Sequence, residues 1–296
     1  MGDRVPLETA LPPVFEKEMR QLARLQMGLV LIVAWTASPD GTPSFSFLQR
    51  QLLENYIDLE SDGRIYKMIL IGLDDTDVLE SRGTGHLARE IAGALGSDYR
   101  LLGVTRHQLL LDPRIPLTKN NSCSAILLEG DEKPNLGELL KWVETMVLAD
   151  FQPGSDPGLC VADASVATAF TEFGRRVQRQ VVTQAEARAL AKAHHVLLQG
   201  LGGTEGGVIG ALAAVGLAAS GEDGRYVLVG RSRELSGLQA VSALLAAGIA
   251  AVQTADGKVV TDGLVQTDRL RPARRSGRPI AVVEWAGDSW LPLRLD

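Results

Sequence analysis

Met68-Ile69-Leu70-Ile71-Gly72-Leu73-Asp74-Asp75-Thr76-Asp77 decides how this chain reads. Met68 to Leu73 is a compact apolar run, the pattern of a strand buried on both faces. It ends abruptly in acid. Along an extended segment, Asp75 and Asp77 fall on one side and Asp74 on the other. Three carboxylates so close repel one another unless a cation neutralises them. A hard divalent ion such as magnesium, bridging to phosphate, is the natural partner, so Asp74, Asp75 and Asp77 are the candidate metal ligands. The carboxyl edge of an open α/β sheet is also where ligands bind. A solvated turn is the alternative reading of the same residues.

Just beyond lies Ser81-Arg82-Gly83-Thr84-Gly85, leading into a helix over 85–95 with Leu87, Ile91, Ala94 and Leu95 on one stripe. A Gly-Thr-Gly turn at a helix N-terminus offers free N–H groups and the positive dipole end, an anion site. Arg82 adds a forked donor suited to phosphate. Gly83 and Gly85 let the backbone approach closely, and Thr84 supplies a hydroxyl. The Gly-Lys-Ser/Thr ending of a Walker loop is absent. A helix cap with a flexible lead is the plainer alternative. Acid cluster and anion loop together favour magnesium-phosphate chemistry. Asp112-Pro113-Arg114-Ile115-Pro116-Leu117-Thr118-Lys119-Asn120-Asn121-Ser122 is a stiffened polar loop in which Lys119 is a further phosphate candidate.

Working outward, strands are expected at 99–104, 124–128, 159–162, 196–201, 226–229, 249–253 and 280–285. Helices are expected at 135–148, 164–178, 207–217 and 234–246, with Asn135 as an N-cap and Thr183 with Glu186 as a capping box. This alternation predicts an α/β (α+β) chain of two open α/β domains. Pro153-Gly154-Ser155-Asp156-Pro157-Gly158 is the best boundary, giving units over 67–155 and 156–296. Residues 1–66 differ in character, with a helix near 14–26 and a turn cluster at 39–43. They read either as an extension added by the choice of gene start or as an accessory hairpin and helix.

Composition sets further bounds. Thirty Lys plus Arg against thirty-six Asp plus Glu leaves a net charge of −6, which argues against whole-surface capture of nucleic acid or an anionic membrane. Two cysteines, Cys123 and Cys160, exclude a disulfide scaffold and a four-Cys zinc site, and reduced thiols in a cytoplasm are the expectation. No apolar run reaches the roughly 20 residues of a transmembrane helix. Gly200-Leu201-Gly202-Gly203-Thr204-Glu205-Gly206-Gly207 leads into a helix lined with small residues. Gly203 and Gly206 could hold a phosphate and Glu205 a cationic amine, or the loop is a tight structural crossover. His194 and His195 read as structural. Arg269, Arg271, Arg274, Arg275 and Arg278 form the one dense basic run, a solvated loop or a contact for RNA or polyphosphate.

The ordered set resembles the archaeal agmatinylcytidine synthetase (TiaS) family, whose members join agmatine to the wobble cytidine of an isoleucine tRNA using ATP. The resemblance is carried by Ile71-Gly72-Leu73-Asp74-Asp75-Thr76-Asp77, Arg82-Gly83-Thr84, Asp112-Pro113-Arg114-Ile115-Pro116, Asp156-Pro157-Gly158 and Gly206–Ala213. It covers about residues 68–296. It implies an ATP-handling, kinase-like domain followed by a ferredoxin-like one, with Thr84 at the position of the family's phosphorylated threonine. It also implies ATP and Mg2+ as cofactors, and a tRNA or a small-molecule amine as partners. The family's RNA-gripping barrel and zinc ribbon have no counterpart in that stretch. The expected function is an ATP- and magnesium-dependent phosphoryl-transfer or ligase-type enzyme in which Asp75, Asp77 and Thr84 do the chemistry. A non-catalytic nucleotide-binding or RNA-interacting accessory protein is the alternative.

Overall fold

β1 (Lys67–Asp74) is buried along almost its whole length and shows why its sequence is apolar without alternation. Ile69, Ile71 and Leu73 enter one core, and Leu70 enters another on the opposite face. A computed structural model describes residues 67–115, 120–130, 134–268 and 270–294 of the chain. The expectations for residues 1–66, and for Lys119 and Arg269, lie outside the described residues.

β1 is followed by α1 (Thr84–Leu95), β2 (Arg100–Gln108), β3 (Ser122–Gly130), α2 (Leu136–Ala149) and β4 (Gly158–Asp163). β1 pairs antiparallel with both β3 and β4, and β2 pairs antiparallel with β3. The spatial order β4-β1-β3-β2 with this β-α-β-β-α-β sequence is the ferredoxin-like arrangement. That arrangement, expected for residues 156–296, is therefore carried by 67–163. The boundary expected at 155/156 also moves: β4 follows the Pro153–Gly158 turn directly and pairs with β1, so the turn lies inside one sheet.

Leu87, Ile91 and Leu95 of α1 and Leu139, Val143 and Val147 of α2 recur at helical spacing and cover one face of this sheet. Asn135 caps α2 by accepting from the Glu138 amide. Truncating a residue such as Ile91, fully buried here, typically costs about 2–5 kcal/mol. The other face is covered by the segment after β4. It comprises α3 (Ala164–Ala167), a 3-10 turn at Thr168–Phe170, α4 (Thr171–Val177), α5 (Gln184–Ala193) and α6 (Val208–Ser220), while β5 (Leu197–Gly200) extends the sheet beside β4. One helix was expected over 164–178, but the chain breaks into three pieces there. Thr183 and Glu186 form the expected capping box at α5.

α6 is buried on nearly every side. Its small residues let it press onto the sheet. A Cβ on Gly72 would stand 2.1 Å from the Ala211 carbonyl oxygen, and one on Gly158 would stand 2.1 Å from the Gly207 carbonyl. This close approach sets the loop before α6 directly beside the end of β1.

From β2 the sheet continues through β6 (Arg225–Leu228), β10 (Ala273–Arg275), β11 (Arg278–Trp285), β12 (Trp290–Pro292), β9 (Leu264–Gln266) and β7 (Leu238–Ala240). β8 (Ala251–Thr254) pairs parallel with β11, and α7 (Val241–Ala246) packs over a separate core of Val241, Leu244, Val252 and Ala281. The helix expected over 234–246 is confined to α7. Gly237 adopts φ 62° and starts a short strand instead. Among the described residues, no helix is long and apolar enough to cross a membrane.

Candidate functional site at the carboxyl edge of β1

The polypeptide turns sharply at the end of β1. Asp75 adopts φ 52°, a left-handed conformation that is uncommon for a residue with a Cβ and clusters at functional sites. The turn breaks the extended alternation expected over 74–77, and Asp74, Asp75 and Asp77 all border one cleft. Asp74 points toward α6, where only a glycine fits: a Cβ on Gly210 would lie 1.9 Å from Asp74 Oδ2. Burial, and then the Asp75 charge, push the Asp74 carboxyl well above the ordinary carboxylate range. Burial, then Asp156 and Asp77, raise Asp75 to about 6. Asp156 is the member of this cluster that sequence reasoning missed. Its only signal was the Asp-Pro-Gly turn.

Asp77 faces α1. Its Oδ1 accepts from the Thr84 amide at 3.2 Å and from the Thr84 hydroxyl at 2.7 Å. Thr84 Oγ1 in turn accepts from the Thr76 hydroxyl at 3.1 Å, and both threonines are buried. The anion position expected at the α1 N-terminus is thus filled by the protein's own carboxylate. Gly83 takes φ 88° beside it. Arg82 is turned outward. Its side chain is 60% exposed and pairs with Glu90 at 3.0 Å and Asp150 at 3.6 Å. Arg82 and Gly83 line a cavity of about 140 Å³ together with Thr76, Asp77, Ser81, Asp150 and Gln152.

The glycine loop 200–207 wraps around Asp156 in the same way. Thr204 donates its amide and its hydroxyl to the Asp156 carboxylate, both at 2.6 Å. Gly203, at φ 58°, has no room for a Cβ against Asp156 Oδ1. Glu205, considered for a cationic amine, is paired with Arg188 of α5. Arg114 is spent on Asp112, with two hydrogen bonds of 2.8 Å.

A cavity of about 290 Å³ joins these parts. Asp74, Asp75, Asp77 and Asp156 form its acidic side, Val177, Val182 and Ile209 its apolar side, and Asn120, Gly206 and Gly210 complete it. The structure therefore brings Asp74, Asp75, Asp77 and Gly206 to one cleft. Thr84, Arg82 and Gly83 stand behind Asp77, Gly203 is packed on Asp156, and Gly85 lies in the first turn of α1 near Ser124. Among the described residues, no three His, Cys, Asp or Glu groups are placed to hold one ion by themselves. The donor set still fits magnesium in its usual protein role, in which one or two carboxylates share the ion with water and substrate phosphate.

The other sequence candidates are structural. His194 packs edge-on against Phe170, and Cys123 and Cys160 are buried free thiols. The expected basic run is not one patch: Arg274 is buried, donating to the Ala218 and Gly277 carbonyls, and Arg275 donates to the Glu222 carbonyl.

No family model matches the chain, and no curated protein does. Solved structures do. Over half its length the chain resembles TiaS. The apo structure of TiaS, an agmatidine synthetase for an isoleucine tRNA, shares 24% identity at a TM-score of 0.44, covering 50% of this chain and 35% of that one. The complex of TiaS with that tRNA, AMPCPP and agmatine shares 25% at 0.44, covering 51% and 36%. A tRNA fluorescent labelling enzyme shares 25% at 0.45, covering 50% and 36%. This chain spans about a third of the length of those TiaS structures.

Proposed function

We infer that the chain is an ATP- and magnesium-dependent phosphoryl-transfer or ligase-type enzyme, working in the cleft at the end of β1. The observation that carries this reading is Asp75. It holds a left-handed backbone and an elevated carboxyl pKa among Asp74, Asp77 and Asp156. Such an arrangement costs the folded state energy and is relieved by a cation. Magnesium, when bound, would offset charge on the phosphates. Asp75, with Asp74 or Asp77, would hold it.

Thr84 is assigned as the phosphoryl acceptor or phosphate ligand. Its hydroxyl proton is directed at Asp77 Oδ1, 2.7 Å away, which is the geometry of a general base. Attack of Thr84 Oγ1 on the γ-phosphorus of ATP, with ADP leaving and the hydroxyl proton passing to Asp77, requires the Thr76 hydroxyl to turn away and free a lone pair on Thr84 Oγ1. Arg82 and Gly83, beside Asp77, are assigned to phosphate, with Arg82 leaving Glu90 and Asp150. Gly85 and Gly206 give the backbone close approach, Gly203 shapes the loop around Asp156, and Lys119 is a further phosphate contact. The apolar wall beside the acids suits an amine with an aliphatic stem, to be joined to a phosphate-activated acceptor. That acceptor is a tRNA cytidine, as the motifs shared with the TiaS family imply, or a small molecule. ATP handling is assigned to the sheet of 67–163 and acceptor placement to the residues that follow it. Reduced Cys123 and Cys160 accord with a cytoplasmic setting.

A second reading, a nucleotide-binding module without turnover, is favoured by one observation: Asp77 and Asp156 occupy the two loops expected to bind phosphate. Incubation with γ-labelled ATP and magnesium separates the two. Label released, or transferred to Thr84 and located by mass spectrometry, with loss in Asp75→Asn, supports the enzyme. ATP binding without either product supports the module.

A further inference from the structure

Six arginines from five separate parts of the sequence lie near enough around β2 and β6 to repel one another. Arg106 of β2 and Arg225 of β6 are direct cross-strand partners, an arrangement of like charges that disfavours the sheet. Arg233 reaches back to the Val227 carbonyl on β6 at 3.2 Å. Arg271 precedes Pro272, whose carbonyl accepts from the Tyr226 amide next to Arg225. Arg89 comes from α1 and Arg294 from the segment after β12. Arg225 is only 4% exposed, and Arg89, Arg106 and Arg271 are half-buried.

Four of the six bond to groups that carry no negative charge. Arg89 bonds to His86, Arg106 to Ser122, Arg233 to the Val227 carbonyl and Arg271 to the Leu270 carbonyl. Burial first, then the charges of Arg106, Arg294 and Arg271, lower Arg225 to about 10. Arg106 and Arg271 are lowered by burial and then by arginine neighbours, Arg294 and Arg233 respectively. A chain with net charge −6 has nonetheless concentrated cations here. Arg106 and Arg225 line a cavity of about 350 Å³, with Gln108, Gln178 and Gly224 supplying amide and backbone groups. Asp223 also lines it, and its carboxylate is engaged by His107 and Gln178.

We propose that this cavity and its arginines bind a compact, multiply charged phosphate anion, of the kind carried by a nucleotide or by free oligophosphate. Forked guanidinium donors match phosphate oxygens in pairs, and Arg106 and Arg225 present theirs to one cavity. Partial burial favours a compact ligand over an extended backbone lying across the surface. The site is independent of phosphoryl transfer at β1: it binds whether or not ATP is turned over.

The test uses the full chain with sodium tripolyphosphate in magnesium-free, low-salt buffer, read by calorimetry and by thermal melting. Wild type is expected to bind and to melt higher with the anion. Arg106→Gln with Arg225→Gln is expected to weaken binding at least about tenfold, the scale of one lost charge-assisted hydrogen bond. Should that pair fail to fold, Arg106→Gln alone, half-buried at the cavity wall, gives the same direction. Arg175→Gln, on α4 and paired with Glu172, serves as the control and leaves binding unchanged. Equal affinity in wild type and cluster variants overturns the proposal. So does a short oligouridylate whose binding depends on the arginines while tripolyphosphate binding does not, since that marks a nucleic-acid surface instead.

Discussion

Asp75→Asn should make the protein more stable and the cleft unable to hold magnesium. Asparagine accepts the left-handed backbone at position 75 and has nearly the same shape, so the change removes a charge and little else. Raising a carboxyl from 3.8 to about 6 corresponds to about 3 kcal/mol against the charged folded state at full strength. The cleft is open to water, so about half of that survives screening. The sign follows from proton uptake. Between about pH 4 and pH 6 the folded state holds a proton on Asp75 that the unfolded state has lost, so this group lowers stability as pH rises. Below about pH 4 both states are protonated and the penalty vanishes. At neutral pH the variant should therefore gain about 1.5 kcal/mol, or roughly 3–6 °C in Tm for a chain of this size. Near pH 4 it should gain nothing. Thermal unfolding followed by circular dichroism across this range reads it directly. A variant less stable at neutral pH, or a gain independent of pH, would refute the electrostatic reasoning.

Gly72→Ala should cost about 3 kcal/mol or more, because its Cβ meets the Ala211 carbonyl and pushes α6 off the sheet; urea unfolding measures it. Asp223→Asn should also destabilise. Burial opposes the Asp223 charge, but its hydrogen bond to buried His107, at 2.7 Å, outweighs this and holds the carboxyl below its ordinary range. That contribution is present above about pH 4 and is lost as pH falls through the lowered pKa, so wild type and variant should converge in acid melts. Arg82→Gln should change stability by less than about 1 kcal/mol, as its ion pairs are exposed, yet weaken ATP binding measured by calorimetry. Unchanged affinity would remove Arg82 from the phosphate site.

Local chemistry was legible in the sequence where it is decided locally. The apolar run into Asp74, the Asn135 cap and the Thr183–Glu186 box each depend on neighbours within a few residues, and each appears where its pattern places it. Pairing was not legible. Nothing near Leu159 announces that β4 returns beside β1, so the Pro-Gly turn before it looked like a boundary. Gly237 cut short an apparently continuous helix because one left-handed residue outweighs the propensities around it. The acids were legible as a cluster, but their partners were not. Asp156 joins Asp75 only because Gly158 and Gly207 let two backbones touch. One of the amides expected free at α1, that of Thr84, is taken by Asp77, a contact no spacing rule distinguishes from an open anion site. The arginines meet through strand order, which is why a run in the sequence proved a poorer guide than Arg106 facing Arg225.

Titration calorimetry of ATP into wild type and Asp75→Asn, with magnesium and with chelator, probes the cleft most directly. Magnesium-dependent binding by wild type, lost in the variant and lost with chelator, is the predicted result. Binding of equal strength in both proteins, or binding indifferent to magnesium, would contradict a cation–phosphate site at the end of β1.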